Sequence, residues 1–340
     1  MKYAFPSMPV PRVLTPEKIS LPMRILLAHR DKKSALERFT ARRLLSHWRF
    51  WFRLSEIPPK WMRQSSSVHF SFGRIDRSFA FDARYAVFRP FYLHPIYEPE
   101  LFFLLQNLAP KIQVFLDIGA SIGMHSHCLA ASERFGGTIH CFEPEPGTAG
   151  MLEDLAGQLG TAGRIEIHRF GLSRENRHAF FSSPASTNDT SVVRVVDHAR
   201  GNGFSGEVRR LDDLEIGAPS AMKIDVEGHE LQVIEGGIET IRRSRPFIIF
   251  ESIYESGDTD AIASRLRALD YQVFFLELTD NDPASSQLDL GTDWASVRLV
   301  LNPFTTELRL ARRRTLNLFA CPAERLEQFV AEGDLIEVSP

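Results

Sequence analysis

Apolar residues from position 114 run into Asp117, and the chain then reads Gly119-Ala120-Ser121-Ile122-Gly123 before a helical texture begins. A buried strand that ends in a tight glycine turn and feeds a helix produces that order. The same alternation recurs down the chain. Apolar, β-rich runs at 137–142, 164–168, 221–226 and 247–250 are separated by helical stretches at 124–132, at 148–159 and after Glu227. A helix at 261–269 leads to two last runs, 271–278 and 296–301, expected to pair antiparallel, and a helix at 322–333 ends the chain. Five strand-to-helix alternations followed by two strands predict an α/β fold, a doubly wound, Rossmann-like sheet of seven strands. Ligands of such sheets bind beyond the carboxyl ends of the strands. Asp117, Glu143, Asp225 and Glu251 all fall at those ends.

Ahead of this core the pattern changes. Residues 1–16 hold four prolines and little periodicity, which predicts an extended or mobile arm. From 22 to 54 the texture is helical, with Ser34 and Glu37 spaced as a capping box. Two short strands, 68–72 and 79–81, flank a polar turn at 74–77, and a short helix at 100–108 delivers the chain to its first core strand. The forty residues after Ser173, through Phe180-Phe181 and the tract 182–190, predict a hairpin with long loops of the kind that shapes a substrate mouth. The division expected is an N-terminal extension over 1–90, made of a basic helical segment and a short β hairpin, and a main domain over 91–340.

Charge sharpens that division. The net charge of −3 excludes a globally basic nucleic-acid binder, yet residues 18–63 carry twelve Lys/Arg against three acids, leaving the remainder at −12. In the second half of the helical stretch, Leu36, Phe39, Leu44, Trp48 and Trp51 interleave with Arg38, Arg42, Arg43, Arg49 and Arg53. Two readings stay open. A basic aromatic helix over 34–54 can lie peripherally on an anionic membrane, or pack on the main domain with its arginines reaching to water. The cysteines, Cys128, Cys141 and Cys321, are odd in number and sit in apolar contexts, so buried thiols in a reducing compartment are expected. No run of apolar residues is long enough to span a bilayer, and a cytoplasmic protein is the expectation.

The chemistry begins at Asp117. A carboxylate where a dinucleotide-binding turn has its first glycine repels a pyrophosphate and can hold an ammonium group, which S-adenosylmethionine carries at its amino-acid end. Gly119, Ala120, Ser121 and Gly123 then form the turn against which the ligand lies. Glu143, at the end of the second strand, has the position from which an acid reaches ribose hydroxyls. His125 and His127, two apart on one helix, point to different faces and are expected to be structural.

With these residues in place the chain resembles the FkbM family of S-adenosylmethionine-dependent methyltransferases. The matching pieces are Tyr97-Glu98-Pro99-Glu100, residues 116–123, Phe142-Glu143-Pro144, Leu211-Asp212-Asp213-Leu214, Lys223-Ile224-Asp225-Val226-Glu227-Gly228-His229-Glu230, Gly236-Gly237 and residues 246–251. The resemblance implies a Rossmann-like, seven-stranded class I methyltransferase sheet, often acting on a hydroxyl of a sugar or natural product. Two features depart from it. Ser121 stands where Asn is usual, and the amide expected after the ribose acid is absent, Gln158 being the nearest.

Such a reaction needs an aligned acceptor and a group to take its proton. Asp225 is the candidate base or metal ligand, with Glu227 and Glu251 beside it, Lys223 neutralising charge and His229 as the alternative base. Asp225 and Glu251 together could hold Mg²⁺. For Asp225 the competing reading is a helix-capping acid serving the N–H groups near Gly228, and Glu230 reads as structural. The function expected is an O-methyltransferase of a small-molecule or glycan acceptor. Its rivals are a cofactor-binding adaptor without turnover and an RNA methyltransferase gripping phosphates through the N-terminal arginines.

Overall fold

The computed structural model describes residues 1–5, 14–18, 65–82, 85–88, 96, 98–182, 193–196, 202–253, 258–279, 297–312 and 315–338. The basic helix expected over 22–54, Tyr97, the tract 183–190 and the loop 280–293 lie outside these residues.

Among the described residues ten strands form one sheet. Its spatial order is Ile336–Val338, Lys2–Ala4, Arg298–Pro303, Tyr271–Thr279, Leu316–Pro322, Phe247–Ser252, Ala221–Ile224, Val114–Ile118, Thr138–Phe142 and Ile165–His168. The last five in that order pair in parallel, as strand-to-helix alternation requires. The count of seven is corrected to ten. Leu316–Pro322, which the sequence pattern did not reveal, inserts antiparallel between Phe247–Ser252 and Tyr271–Thr279. Residues 318–322 are buried on both faces, and a short run without alternation carries no period to read. The pair expected at 271–278 and 296–301 does form, with Leu276 opposite Leu301.

The first residues also belong to this sheet. Lys2–Ala4 pairs antiparallel with Arg298–Pro303 and with Ile336–Val338. Phe5 is buried and meets Phe329 edge-on at 6.4 Å. That part of the expected arm is therefore structural.

Side-chain alternation divides the core between two faces. Phe115, Ile139 and Cys141 face helices Pro99–Leu108, Met124–Ala131 and Pro146–Leu159, packing with Phe103, Leu104, Leu129 and Leu152. Leu116, Ile118 and Phe142 face the other way and pack with Ile234, Ile241 and Leu266 of helices Glu230–Gly236, Ile238–Ser244 and Asp258–Arg267. All eight residues of Met124–Ala131 are buried. A helix buried on every side is a core element.

Two small sheets flank this body. Ser65–Phe72 and Ile75–Asp82 form the expected hairpin, with Leu14–Lys18 as a third strand. The hairpin docks through Arg74 N–H, which donates to the Ala131 carbonyl at 2.8 Å. Gln158 accepts from the Ala80 N–H at 2.8 Å and donates to the Ala80 carbonyl at 3.1 Å. In the second small sheet, Arg177–Ser182 pairs antiparallel with Gly203–Arg209, the hairpin expected after Ser173.

Candidate functional site

Strand register sets the geometry of the carboxyl edge. Phe142, Ile118, Ile224, Phe250 and Leu318 are mutual neighbours across five strands. One residue further along lie Glu143, Gly119, Asp225 and Glu251, with Asn317 directly opposite Glu251. Three carboxylates and an amide therefore share one row with the glycine turn. The turn is locked into this row by its backbone. Gly119 and Ala120 both donate to the Phe142 carbonyl, at 3.0 and 3.1 Å, and Asp225 N–H donates to the Ile118 carbonyl at 3.0 Å. Gly119 has φ +76, and a Cβ there would lie 1.8 Å from the Asp225 carbonyl oxygen, so only glycine lets the two strand ends close.

Asp117 sits two positions before that row, on the face shared with Lys223. It is 1% exposed. Its Oδ2 accepts from Ser126 Oγ at 2.6 Å, while Oδ1 has no hydrogen-bond partner and lies 3.9 Å from the Lys223 ammonium. Lys223 is 3% exposed and donates to Asp225 Oδ2 at 3.0 Å. Burial opposes its charge, but Asp225, Asp117 and Glu98 together raise its pKa above the ordinary lysine value. Glu98 Oε2 stands 3.1 Å from His125 Nε2. Burial pushes the Glu98 carboxyl up, yet the His125 hydrogen bond and charge and the Lys223 charge outweigh it, holding the group at about 2.

The remaining acids are under opposite pressure. Burial, reinforced by neighbouring carboxylates, lifts Glu227 to about 7 and Glu251 to about 8. Glu227 adopts φ +56 and faces Arg194, whose guanidinium reaches it from the flanking hairpin at 3.7 Å. Left-handed backbone is costly for a non-glycine residue, and such strain clusters at active sites and ligand clamps. Glu143 is lifted to about 7, chiefly by burial. Its two oxygens accept from Ser121 N–H and Glu145 N–H, each at 2.9 Å, tying the glycine turn to the loop after the second strand.

The structure thus gathers Asp117, Lys223 and Asp225 in one linked group, and sets Glu143 and Glu251 in the row beside it. Ala120 and Gly123 continue the turn, Gly123 at φ +72 preceding helix Met124–Ala131. His229 stands apart from the Lys223 group, with its Nε2 2.9 Å from Ser173 Oγ. The helix-capping role considered for Asp225 falls to Glu230, whose Oε1 accepts from Val226 and Gly228 N–H at 3.0 and 3.1 Å. Among the described residues, three His, Cys, Asp or Glu side chains converge at metal-ligand spacing at His140, Glu166 and His168. Gln158, the amide nearest to the one the resemblance leads one to expect, is occupied by the Ala80 backbone.

Sequence reasoning missed Asn317, whose amide donates to Glu100 Oε1 at 3.2 Å and Glu98 Oε1 at 3.4 Å. It also set His125 aside as structural, although its partner Glu98 belongs to the edge. Helical spacing separates His125 from His127 correctly. It does not show that His125 faces a charge while His127 packs against Thr161 at 2.9 Å.

Residues 117–273 match the family model described as the methyltransferase FkbM domain. Over this segment the chain is similar to an FkbM methyltransferase domain. Over 155 residues the chain is 30% identical to the hexuronic acid methyltransferase AglP of Haloferax volcanii, a match covering 45% of this chain and 62% of that protein. The chain therefore spans less than two thirds of that curated relative. Among solved structures it is similar to methyltransferase FkbM from Methylobacillus flagellatus KT, at 22% identity and a TM-score of 0.36, covering 56% of this chain and 43% of that one. It is also similar to the precorrin-6y C5,15-methyltransferase of Geobacter metallireducens GS-15, at 14% identity and a TM-score of 0.35, covering 66% and 90%. The FkbM segment opens on Asp117 itself and contains Glu143, Lys223, Asp225, Glu227 and Glu251. Glu98 and Asn317, which complete the edge in space, lie outside it.

Proposed function

We propose that this chain is an S-adenosylmethionine-dependent O-methyltransferase whose acceptor is a hydroxyl of a sugar or glycan. The observation that supports it most is the single row of Glu143, Gly119, Asp225 and Glu251 at the carboxyl edge, the place where ligands of doubly wound sheets bind. The donor atoms there suit the cofactor. Asp117 Oδ1 and Ser121 Oγ are buried without hydrogen-bond partners, a state that is unfavourable unless something polar arrives. Asp117 is assigned the cofactor's ammonium end, Ser121 a polar contact beside it, and Glu143 the ribose hydroxyls. When bound, S-adenosylmethionine supplies an electrophilic methyl group on a sulfonium.

The protein's part is to orient the acceptor and receive its proton. A base works best with a pKa near the operating pH, and Glu227 and Glu251 lie in that range. Asp225, which accepts from Lys223, is among the neighbours that raise both. We assign the proton to Glu227, the acid that the flanking hairpin reaches through Arg194. The sugar hydroxyl is favoured as acceptor because the relative AglP is named for a hexuronic acid substrate. Its uronate carboxyl would need a cation, and Arg194 at the mouth provides one. The adaptor and RNA readings both rest on the basic segment of residues 18–63, and no observation at the edge favours them.

Calorimetry on the full chain should show S-adenosylmethionine binding, with Asp117→Asn and Glu143→Gln each losing it. Unchanged affinity in either would reject that residue's role. Labelled cofactor offered with uronate-containing oligosaccharides should leave its methyl on the sugar. Label recovered in RNA would replace the acceptor reading.

A further inference from the structure

On the sheet face opposite Asp117 and Lys223, the two outermost parallel strands present three side chains that none of the preceding roles uses. His140 comes from Thr138–Phe142, and Glu166 and His168 come from Ile165–His168. Register places His140 beside Glu166 and Phe142 beside His168, so strand alternation brings all three to one face. His140 Nδ1 lies 3.1 Å from His168 Nε2. Glu166 Oε2 is 3.5 Å from His140 Nδ1, and its Oε1 is 3.7 Å from His168 Nε2.

We propose that His140, Glu166 and His168 form a divalent transition-metal site, suited to Zn²⁺, with its fourth position open to water. The argument is geometric. Imidazole nitrogens and carboxylate oxygens bind Zn²⁺ at about 2.0–2.2 Å, so neighbouring ligand atoms of a tetrahedral site stand about 3.3–3.5 Å apart. The nitrogen pair at 3.1 Å and the Glu166 Oε2 to His140 distance of 3.5 Å bracket that spacing, and a small rotation of the carboxylate would bring one oxygen within reach of both imidazoles. Two nitrogens and one oxygen favour zinc or its neighbours over Mg²⁺ or Ca²⁺, which take oxygen-rich sets. The imidazoles are 12% and 16% exposed, and His168 stacks on Phe142 at 4.6 Å, which fixes its ring. Burial holds both histidines below their ordinary pKa, in the neutral form that ligates. Glu166 is 66% exposed and closes the site from the solvent side. A bound ion would join the sheet's terminal strand to its neighbour and so stabilise the exposed edge.

The site does not need the methyl donor, so it is tested without it. The chelator-stripped full chain is titrated with Co²⁺, whose visible d–d absorption reports four- or five-coordinate binding, and Zn²⁺ is then added as competitor. One equivalent of Co²⁺ should bind and be displaced by Zn²⁺, and Zn²⁺ should raise Tm. Glu166→Gln and His140→Gln should each weaken Co²⁺ binding by about tenfold or more through loss of a direct ligand. Glu166→Gln changes an exposed side chain, so its fold is not at risk. His69→Gln, at the exposed His69 and Asp76 pair, should bind like the parent. Absence of stoichiometric Co²⁺ binding would overturn the proposal. So would unchanged affinity in either Glu166→Gln or His140→Gln, or loss of binding in His69→Gln.

Discussion

At the scale of single residues, the edge depends on one glycine and one lysine. Gly119→Ala would put a methyl group 1.8 Å from the Asp225 carbonyl at a backbone angle that disfavours side chains. Separating the two strand ends should lower stability by about 2–4 kcal/mol, within the range for strained and overpacked positions, and remove cofactor binding as well. Chemical denaturation and calorimetry on the same preparation check both effects. Lys223→Met should be at least as severe. It leaves Asp117 buried beside Asp225 with no cation, and breaking a buried pair by removing one partner costs about 3–5 kcal/mol. A denaturation midpoint unchanged from the parent would show that Lys223 does not balance these carboxylates. Asp117, Glu143 and Asp225 were legible in the sequence because each ends an apolar run. Asn317 was not, because it lies in a strand that gave no signal of its own. The partner of His125 was not legible, because helical spacing reports which face a residue takes, and not what charge waits opposite.

At the scale of elements, the five parallel strands were legible for a physical reason. Each is a short apolar run bounded by turns and followed by a helix period, so local pattern and global fold agree. Leu316–Pro322 and Lys2–Ala4 depend instead on partners distant in sequence. Lys2–Ala4 finds its neighbours about three hundred residues away or more, and three residues cannot show a period. The first strand nevertheless contributes to the core. Phe5→Ala would empty a fully enclosed site next to Phe329, and such truncations cost about 3–5 kcal/mol. The loss should appear in thermal unfolding, whereas a mobile arm would give a change within about 0.5 kcal/mol, as surface substitutions do. The exposed edge strand Ile165–His168 carries the histidine and glutamate of the proposed metal site, which gives the other end of the sheet its own conditional support.

At the scale of the whole molecule, the carboxyl edge makes stability depend on pH. Glu143 and Glu227 have pKa values raised to about 7 and Glu251 to about 8, with burial first among the causes and neighbouring carboxylates adding to it. A carboxyl whose folded pKa exceeds its unfolded value binds more protons in the folded state between those two values. Stability then falls as pH rises through that window, from near the ordinary 4.5 up to about 8. The buried His127, lowered to about 4, acts with the opposite sign, but only below its ordinary value of 6.5. Above that the acids act alone. Raising pH from 6.5 to 8 should therefore lower stability by about 3 kcal/mol, or ~4 °C in Tm for a chain of this size. Glu251→Gln, which removes the highest of these pKa values, should flatten the curve. A ligand that carries positive charge to the edge should do the same, because its binding favours the ionised acids. Tm measured across this range, with and without S-adenosylmethionine, separates the two effects. A parent curve already flat between pH 6.5 and 8 would mean that the three acids are not held in the crowded, dehydrated surroundings on which the assignment of Glu227 as base depends.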